Sequence, residues 1–340
     1  MTASSASTSE TGTASAPPAV LEVRDLSVHF RQGRGHPPLR AVDGVSFAVR
    51  AGETVGLVGE SGSGKSTIGR AVLGLNPVTE GRISFAGDDI TRAAPRVRRR
   101  LSSRLQVVFQ DPYSSLNPAR TIGQTLAEPL LVHEKSGRAE TAERVAAMLR
   151  RVGMPADAAD RYPGQFSGGQ RQRIAIARAL MLSPQLVICD EPVSALDLSI
   201  QAQVMNLLAE LQDELALSYL FIAHDLPVVR HLSHRVLVLY RGQVLESGDA
   251  GAVYDRPAHP YTQALLAAAP EPDPAAQRAR RASRAAAKAE PGPPSPTGCV
   301  FAHRCPQVAD RCRTERPELR VLAPEPAPRA VACHLVDELP

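Results

Sequence analysis

The chain contains no tryptophan and little phenylalanine or tyrosine, so it offers no platform on which nucleic-acid bases could stack. It also lacks long hydrophobic runs. Nowhere do about 18 apolar residues follow one another, which excludes a segment that crosses a bilayer unaided. A strong excess of one sign of charge is missing too, since the formal net charge is only +4 over 340 residues. The densest basic run, RVRRR at 96–100, has no interleaved aromatics and reads as a solvated face, which argues against a nucleic-acid partner. Residues 1–19 have neither a basic n-region nor an apolar h-region, so they predict a disordered tail and no secretory signal. Cysteine is scarce and unevenly placed: Cys189 stands alone in an apolar run, whereas Cys299, Cys305, Cys312 and Cys333 lie near the C-terminus.

What is present is an alternation of short apolar runs with helical stretches. Residues 20–30 and 44–50 read as strands, TVGLVGE at 54–60 as a buried strand entering a glycine-rich loop, and residues 65–75 as the helix that follows. RISFAG at 82–87 is a further strand, and residues 121–153 form a helical insert rich in Ala, Leu, Glu and Arg. QLVICDE at 185–191, a helix over about 199–215, YLFIAHD at 219–225 and VLVLYRGQVLESG at 236–248 complete the pattern. Short apolar runs separated by helices imply an α/β core of parallel strands buried on both faces. After HPYTQALLAAAP at 259–270, residues 271–297, rich in Pro, Ala and Arg, read as a linker or a loosely held helix. Residues 298–340 are too few to build a core of their own and need a staple.

GESGSGKST at 59–67 lies between a predicted strand and a predicted helix, the context in which G-x-x-x-x-G-K-[ST] cradles phosphates. The loop supplies Gly59, Glu60, Ser61, Gly62, Ser63 and Gly64. Lys65 brings a compact cation to the β/γ oxygens, and Ser66, followed by Thr67, a hard oxygen for Mg²⁺. QLVICDE ends a buried strand in two carboxylates, Asp190 placed to hold Mg²⁺ and Glu191 to polarise an attacking water. Cys189 reads as a small core hydrophobe. In FSGGQRQRIAIARAL, at 166–180, Ser167 has the properties of a helix N-cap. Gly168 and Gly169 leave the helix start bare, where an anion is favoured, while Ile174, Ala177, Leu180 and Met181 fit one buried face.

Taken in this order, the motifs resemble the ATP-binding-cassette family, with FSGGQ where the family has LSGGQ. The resemblance runs over roughly residues 20–260 and implies a P-loop NTPase fold: a RecA-like parallel core, an antiparallel β subdomain and a helical subdomain at about 112–182. It implies that Gln110, in VVFQDP, watches the metal and the γ-phosphate, and that His224, in FIAHD, contacts the γ-phosphate. It also implies that SALD, Ser194 to Asp197, is the D-loop and that Ser167, Gly168, Gly169 and Gln170 close over ATP held by a second cassette. Phe30 is the first choice for the aromatic on adenine, Tyr113 the second.

VVFQDPYSSLNPARTIGQTLAEPL, HPYTQALL and GCVFAHRCP narrow the resemblance to the ATPase subunits of bacterial dipeptide/oligopeptide importers, the subunit usually encoded second. That implies a peripheral ATPase on the cytoplasmic face of the membrane. Its partners would be a paired ATPase subunit (a heterodimer, with a homodimer as the alternative), two permease subunits and an external peptide-binding protein. A nickel or glycan importer on the same scaffold is the alternative, ahead of a soluble cassette acting on nucleic acid. Some ATPases of this type carry a [4Fe–4S] cluster in the C-terminal region, and Cys299, Cys305, Cys312 and Cys333 in C-x5-C-x6-C-x20-C are its candidate ligands here. Zinc is the second choice because the usual close cysteine pairs are absent, unliganded thiols are the third, and disulfides are disfavoured in a reducing compartment.

Overall fold

The computed structural model of the chain describes residues 18–33, 35–111, 113, 115–134, 137–268, 297–322 and 329–336. In chain order come β1 (Ala19–Phe30), β2 (Leu39–Arg50), β3 (Thr54–Val58), α1 (Lys65–Leu73), β4 (Glu80–Phe85), β5 (Asp88–Asp89), α2 (Pro95–Leu101) and β6 (Leu105–Val108). They are followed by α3 (Ile122–His133), α4 (Arg138–Arg151), α5 (Gly168–Leu180), β7 (Leu186–Asp190), α6 (Leu198–Leu215), β8 (Ser218–Ala223) and α7 (Leu226–Leu232). The last elements are β9 (Arg235–Tyr240), β10 (Gln243–Asp249), α8 (Ala250–Asp255), α9 (Pro260–Ala268), a short helix at Asp310–Thr314, β11 (Arg320–Val321) and β12 (Ala330–Val331). The expected tail lies outside the described residues as far as residue 17. Ala19 is already strand, paired with Arg50. Of the expected linker, only Thr297 is described.

Two sheets form. An antiparallel sheet has the order β2-β1-β4-β5, and a larger one the order β11-β12-β10-β9-β3-β8-β7-β6. Its central strands β9, β3, β8, β7 and β6 are parallel, and every residue of β3, β7 and β8 is buried, as continuous apolar runs demand. The expectation of parallel strands fails at one edge. VLVLYRGQVLESG is a hairpin, because Arg241 and Gly242 both take positive φ (45° and 80°) and reverse the chain in two residues. Strand β2 also begins earlier than expected, at Leu39, since its pairing with β1 continues to Arg40 and Leu39, opposite His29 and Phe30. Within RVRRR, Arg98 departs from the solvated reading. Its guanidinium donates to the carbonyls of Val72 (2.6 Å) and Ile90, tying α2 to α1 and the antiparallel sheet.

The segment after residue 297 obtains its core from the cassette that precedes it. Val331 pairs with Glu246, so β12 extends the main sheet beyond β10. Cys299, Phe301, Ala302, Cys312 and Ala332 are buried in the same hydrophobic core as β8 and β9. Phe301 stands edge-on to Tyr240, ring centroids 5.4 Å apart, and at 5.4 Å from Tyr261. Arg316 adds an ion pair to Asp43 of β2 at 2.8 Å. Burial of Phe301 thus joins the C-terminal segment to the cassette. Phe301→Ala is expected to lower the stability of the whole chain by about 3 kcal/mol in urea unfolding. An independently folded appendage would instead lose its own transition and leave the cassette's midpoint in place.

Candidate active site

The site lies where β3, β8 and β7 end side by side. At the end of β3 the chain enters a loop with no room for a side chain at two positions, Gly59 and Gly64. Gly59 sits at φ 155°, and a Cβ there would lie 2.1 Å from the Leu239 carbonyl oxygen. Gly64, which starts α1 at φ 103°, would meet the Ala41 carbonyl oxygen at 2.3 Å. The early start of β2 and the Arg241–Gly242 turn both serve this loop, with Gly242 N–H donating to Ser63 O at 2.9 Å. The Lys65 ammonium is buried and donates to the carbonyls of Gly59 (2.7 Å) and Glu60 (3.0 Å). Burial pulls its pKa below the ordinary lysine value, while Glu191, Asp190 and Glu60 pull the other way. Ser61 and Gly62 are exposed, Thr67 is half-buried, and the buried Ser63 hydroxyl has no hydrogen-bond partner.

Because β8 lies between β3 and β7, residues far apart in sequence meet. Ser66 Oγ donates to Asp190 Oδ1 at 2.7 Å, two hard oxygens side by side. Glu191 takes φ 49°, unfavourable for a residue with a Cβ by about 1–3 kcal/mol, and this turns the chain out of the strand. Its N–H donates to Ile222 O at 2.9 Å, and its carboxylate lies 3.6 Å from His224 Nδ1 at the exposed end of β8. Ser194 Oγ caps the turn by donating to Glu191 O at 3.1 Å, and Gln201 on α6 holds the carbonyls of Val193 and Leu196, leaving Asp197 exposed. Gln110 is exposed just past the end of β6, the strand beside β7. Cys189 is fully buried, as a core residue should be.

The structure does not bring every expected residue to this place. Helix α5 packs on α3, α4, α6 and β6, whereas α1 packs on β2, β7 and β8. Ser167 Oγ accepts from Gln170 N–H (3.3 Å) and Gln170 Oε1 accepts from Ser167 N–H (3.0 Å), so both residues are engaged in a capping box. Tyr113 lies on the α5 start and not at the phosphate loop: its hydroxyl is 3.3 Å from a Cβ built on Gly168, and Arg171 stacks 4.4 Å from its ring centre. Phe30 is half-buried at the end of β1, against the antiparallel sheet's core.

Sequence reasoning missed several residues around the loop. Buried Glu246 on β10 accepts from the N–H groups of Ala258 and His259 (both 2.9 Å) at the start of HPYTQALL, and His259 Nδ1 accepts from Tyr261 N–H at 3.0 Å. Burial holds the His259 ring pKa down to about 4, so it is neutral and able to accept. This fixes Tyr261, whose hydroxyl accepts from Glu60 N–H at 2.9 Å. The signal was only a His-Pro-Tyr string, with nothing local to say what it touches.

Among the described residues, no group of three or more His, Cys, Asp or Glu is spaced to hold a metal. Cys299, Cys312 and Cys333 are buried and Cys305 is half-buried. Burial pushes Cys299 up to about 11, with Cys312, Cys305 and Cys333 adding to the effect, and Cys299 N–H donates to Cys312 O at 2.8 Å. All five cysteines are free.

Comparison with known proteins agrees with this geometry. Residues 42–194 match the family described as ABC transporter, and residues 245–312 match the oligopeptide/dipeptide transporter C-terminal region. The oligopeptide transport ATP-binding protein OppF of Escherichia coli (strain K12) is 50% identical over 308 residues, which cover 88% of this chain and 92% of that protein. The chain belongs to the ATP-binding-cassette transporter ATPases. The chain is similarly 47% identical over 325 residues to the di/tripeptide transport ATP-binding protein DppF of Pseudomonas aeruginosa (strain UCBPP-PA14), covering 94% of this chain and 98% of that one. A solved dimeric ATP-binding cassette, MJ0796, in a post-hydrolysis state bound to ADP and Pi, matches 68% of this chain and 98% of its own with a TM-score of 0.62 and 27% identity.

Gly169 has a packing role besides any ligand role, since a Cβ there would lie 2.5 Å from Ile200 Cγ2. Gly169→Ala is therefore expected to destabilise the cassette by about 1–3 kcal/mol in thermal unfolding, and Ile200→Ala in the same chain to return part of that loss. A loss that Ile200→Ala only deepens would remove the packing role.

Proposed function

We propose that this cassette hydrolyses ATP to drive import of dipeptides or oligopeptides through a membrane permease. The observation that carries the ATPase chemistry is the meeting of Lys65, Ser66, Asp190, Glu191 and His224 at the ends of three adjacent strands. The peptide reading rests on relatives that carry peptide transport in their names and match almost the whole chain.

The residues present fit MgATP. The loop excludes side chains at Gly59 and Gly64, and Ser63 keeps an unpartnered hydroxyl. When bound, MgATP supplies a γ-phosphoryl group that water can accept. Lys65 would exchange its carbonyl partners for phosphate oxygens, Ser66 and Asp190 would hold the cation, and Gln110 would watch it. Glu191 would orient the attacking water and take its proton, with His224 beside it completing the γ-phosphate contact. Phe30 is the proposed adenine contact.

Ser167, Gly168, Gly169 and Gln170 would close over ATP held by a second cassette, with Asp197 at the junction. Two facts support this: α5 packs away from the chain's own phosphate loop, and a solved relative is dimeric. The partners proposed are a paired ATPase subunit, two permeases and, through them, an external peptide-binding protein, with the cassette peripheral to the membrane. None of the described helices is long and apolar enough to cross a membrane.

For Cys299, Cys305, Cys312 and Cys333 we keep a [4Fe–4S] cluster as the first proposal and zinc as the second. What supports it is four free thiols close enough to perturb one another, although they are not at ligand spacing. A bound cation would reverse the effect of burial by favouring the thiolates.

Glu191→Gln is expected to bind MgATP and lose turnover by at least about a hundredfold, accumulating an ATP-bound dimer on size-exclusion chromatography. Near-normal turnover would remove Glu191 from its role. Protein purified anaerobically should be brown with about four irons per chain, and Cys305→Ser should lose the colour. Colourless protein with one tightly held zinc would establish zinc instead.

A further inference from the structure

The second residue of the phosphate loop is acidic, and its charge is answered from the far end of the chain. Arg304 grips the Glu60 carboxylate with both arms of its guanidinium, Nη1 to Oε2 at 2.9 Å and Nη2 to Oε1 at 3.0 Å. Arg304 Nη1 also donates to Tyr240 Oη at 3.4 Å, and the guanidinium carbon lies 5.7 Å from the Phe301 ring centre, so a packed aromatic wall aims it. Glu60, Ser61, Gly62 and Ser63 share an opening of about 300 Å³ with Tyr240, Arg241, His303 and Arg304. Nothing in the ATPase assignment accounts for a cation there that comes from the cysteine-rich segment.

A carboxylate in an anion-binding loop is an electrostatic liability. Its field already reaches the Lys65 ammonium, and it would oppose the approach of a polyphosphate. Two contacts remove the problem. Tyr261 holds the Glu60 main chain through its N–H, and Arg304 turns the carboxylate aside and neutralises it. We propose that Arg304 is a positioning residue of the nucleotide site, neutralising Glu60 so that the phosphate affinity of the loop depends on the cysteine-rich segment being docked. The inference rests on the ATPase reading. A purely structural tie is the competing explanation, and the two differ in what removing the Glu60 charge does. With side-chain exposures of 41% and 43%, the pair is partly screened by solvent, so the effect is moderate and dependent on salt.

The test uses the full chain. Equilibrium binding of MgATP is measured at low and high ionic strength, with hydrogen exchange of the peptide spanning residues 59–65 measured before nucleotide is added. Arg304→Ala is expected to weaken MgATP binding about fivefold at low salt, less at high salt, and to speed exchange in the loop. Arg304→Lys should recover part of the loss. Glu60→Gln in the Arg304→Ala chain should recover most of it, because the uncompensated charge is gone. Unchanged affinity in Arg304→Ala, a loss indifferent to salt, or a double variant no better than Arg304→Ala would overturn the proposal. A wild-type chain that does not bind MgATP would overturn the ATPase reading itself, and that result is distinct from any difference among the variants.

Discussion

The site depends on a steric constraint: the phosphate loop must stay bare at Gly59 and Gly64 while being pressed from several sides. Gly59 touches the backbone of β9, Gly64 touches the start of β2, and Ser63 O takes the N–H of Gly242 in the β9–β10 turn. A loop held this way cannot collapse on itself, yet it presents main chain to a ligand at low reorganisation cost. The surrounding elements follow from that need. Strand β2 must begin early enough to bring Ala41 there, and the hairpin turn must be short enough to bring Gly242.

Electrostatics adds a second requirement. Asp190, Glu191 and Glu60 crowd one buried ammonium, and the separate charges are kept apart by what each one holds. Asp190 takes the Ser66 hydroxyl, Glu191 faces His224, and Glu60 faces Arg304. Only Lys65 has main-chain oxygens as its partners. Those carbonyls are weak competitors for a polyphosphate, so the lysine is available although it is satisfied.

The sequence revealed the parts of this arrangement that are local. A strand, a glycine loop and a helix entrance are written within GESGSGKST, and the two carboxylates end one apolar run, so Lys65, Ser66, Asp190 and Glu191 could be assigned from spacing and chemistry. Ser167 was legible as an N-cap because capping is decided within three residues. Arg98 and the β9–β10 reversal were misjudged, the first because its partners lie on other elements, the second because Arg241 at positive φ carries no glycine-like signal on its own. Tyr261 and Arg304 were invisible for the first of these reasons: each meets Glu60 across 201 and 244 residues of chain.

The C-terminal segment shows how such distant contacts are made reliable. Strand β10 would leave an open ladder at the edge of the main sheet, and β12 covers it through Glu246 and Ser247. The Glu246 side chain meanwhile holds the N–H groups of Ala258 and His259. One residue of β10 therefore orders both the strand that caps the sheet and the turn that delivers Tyr261 to the phosphate loop. Because Glu246 is fully buried, its carboxylate must keep these donors to offset desolvation, which raises its pKa. The same buried acid therefore lies between the strand of the cysteine-rich segment, which pairs with its main chain, and the turn that carries Tyr261 to the phosphate loop, which its side chain holds.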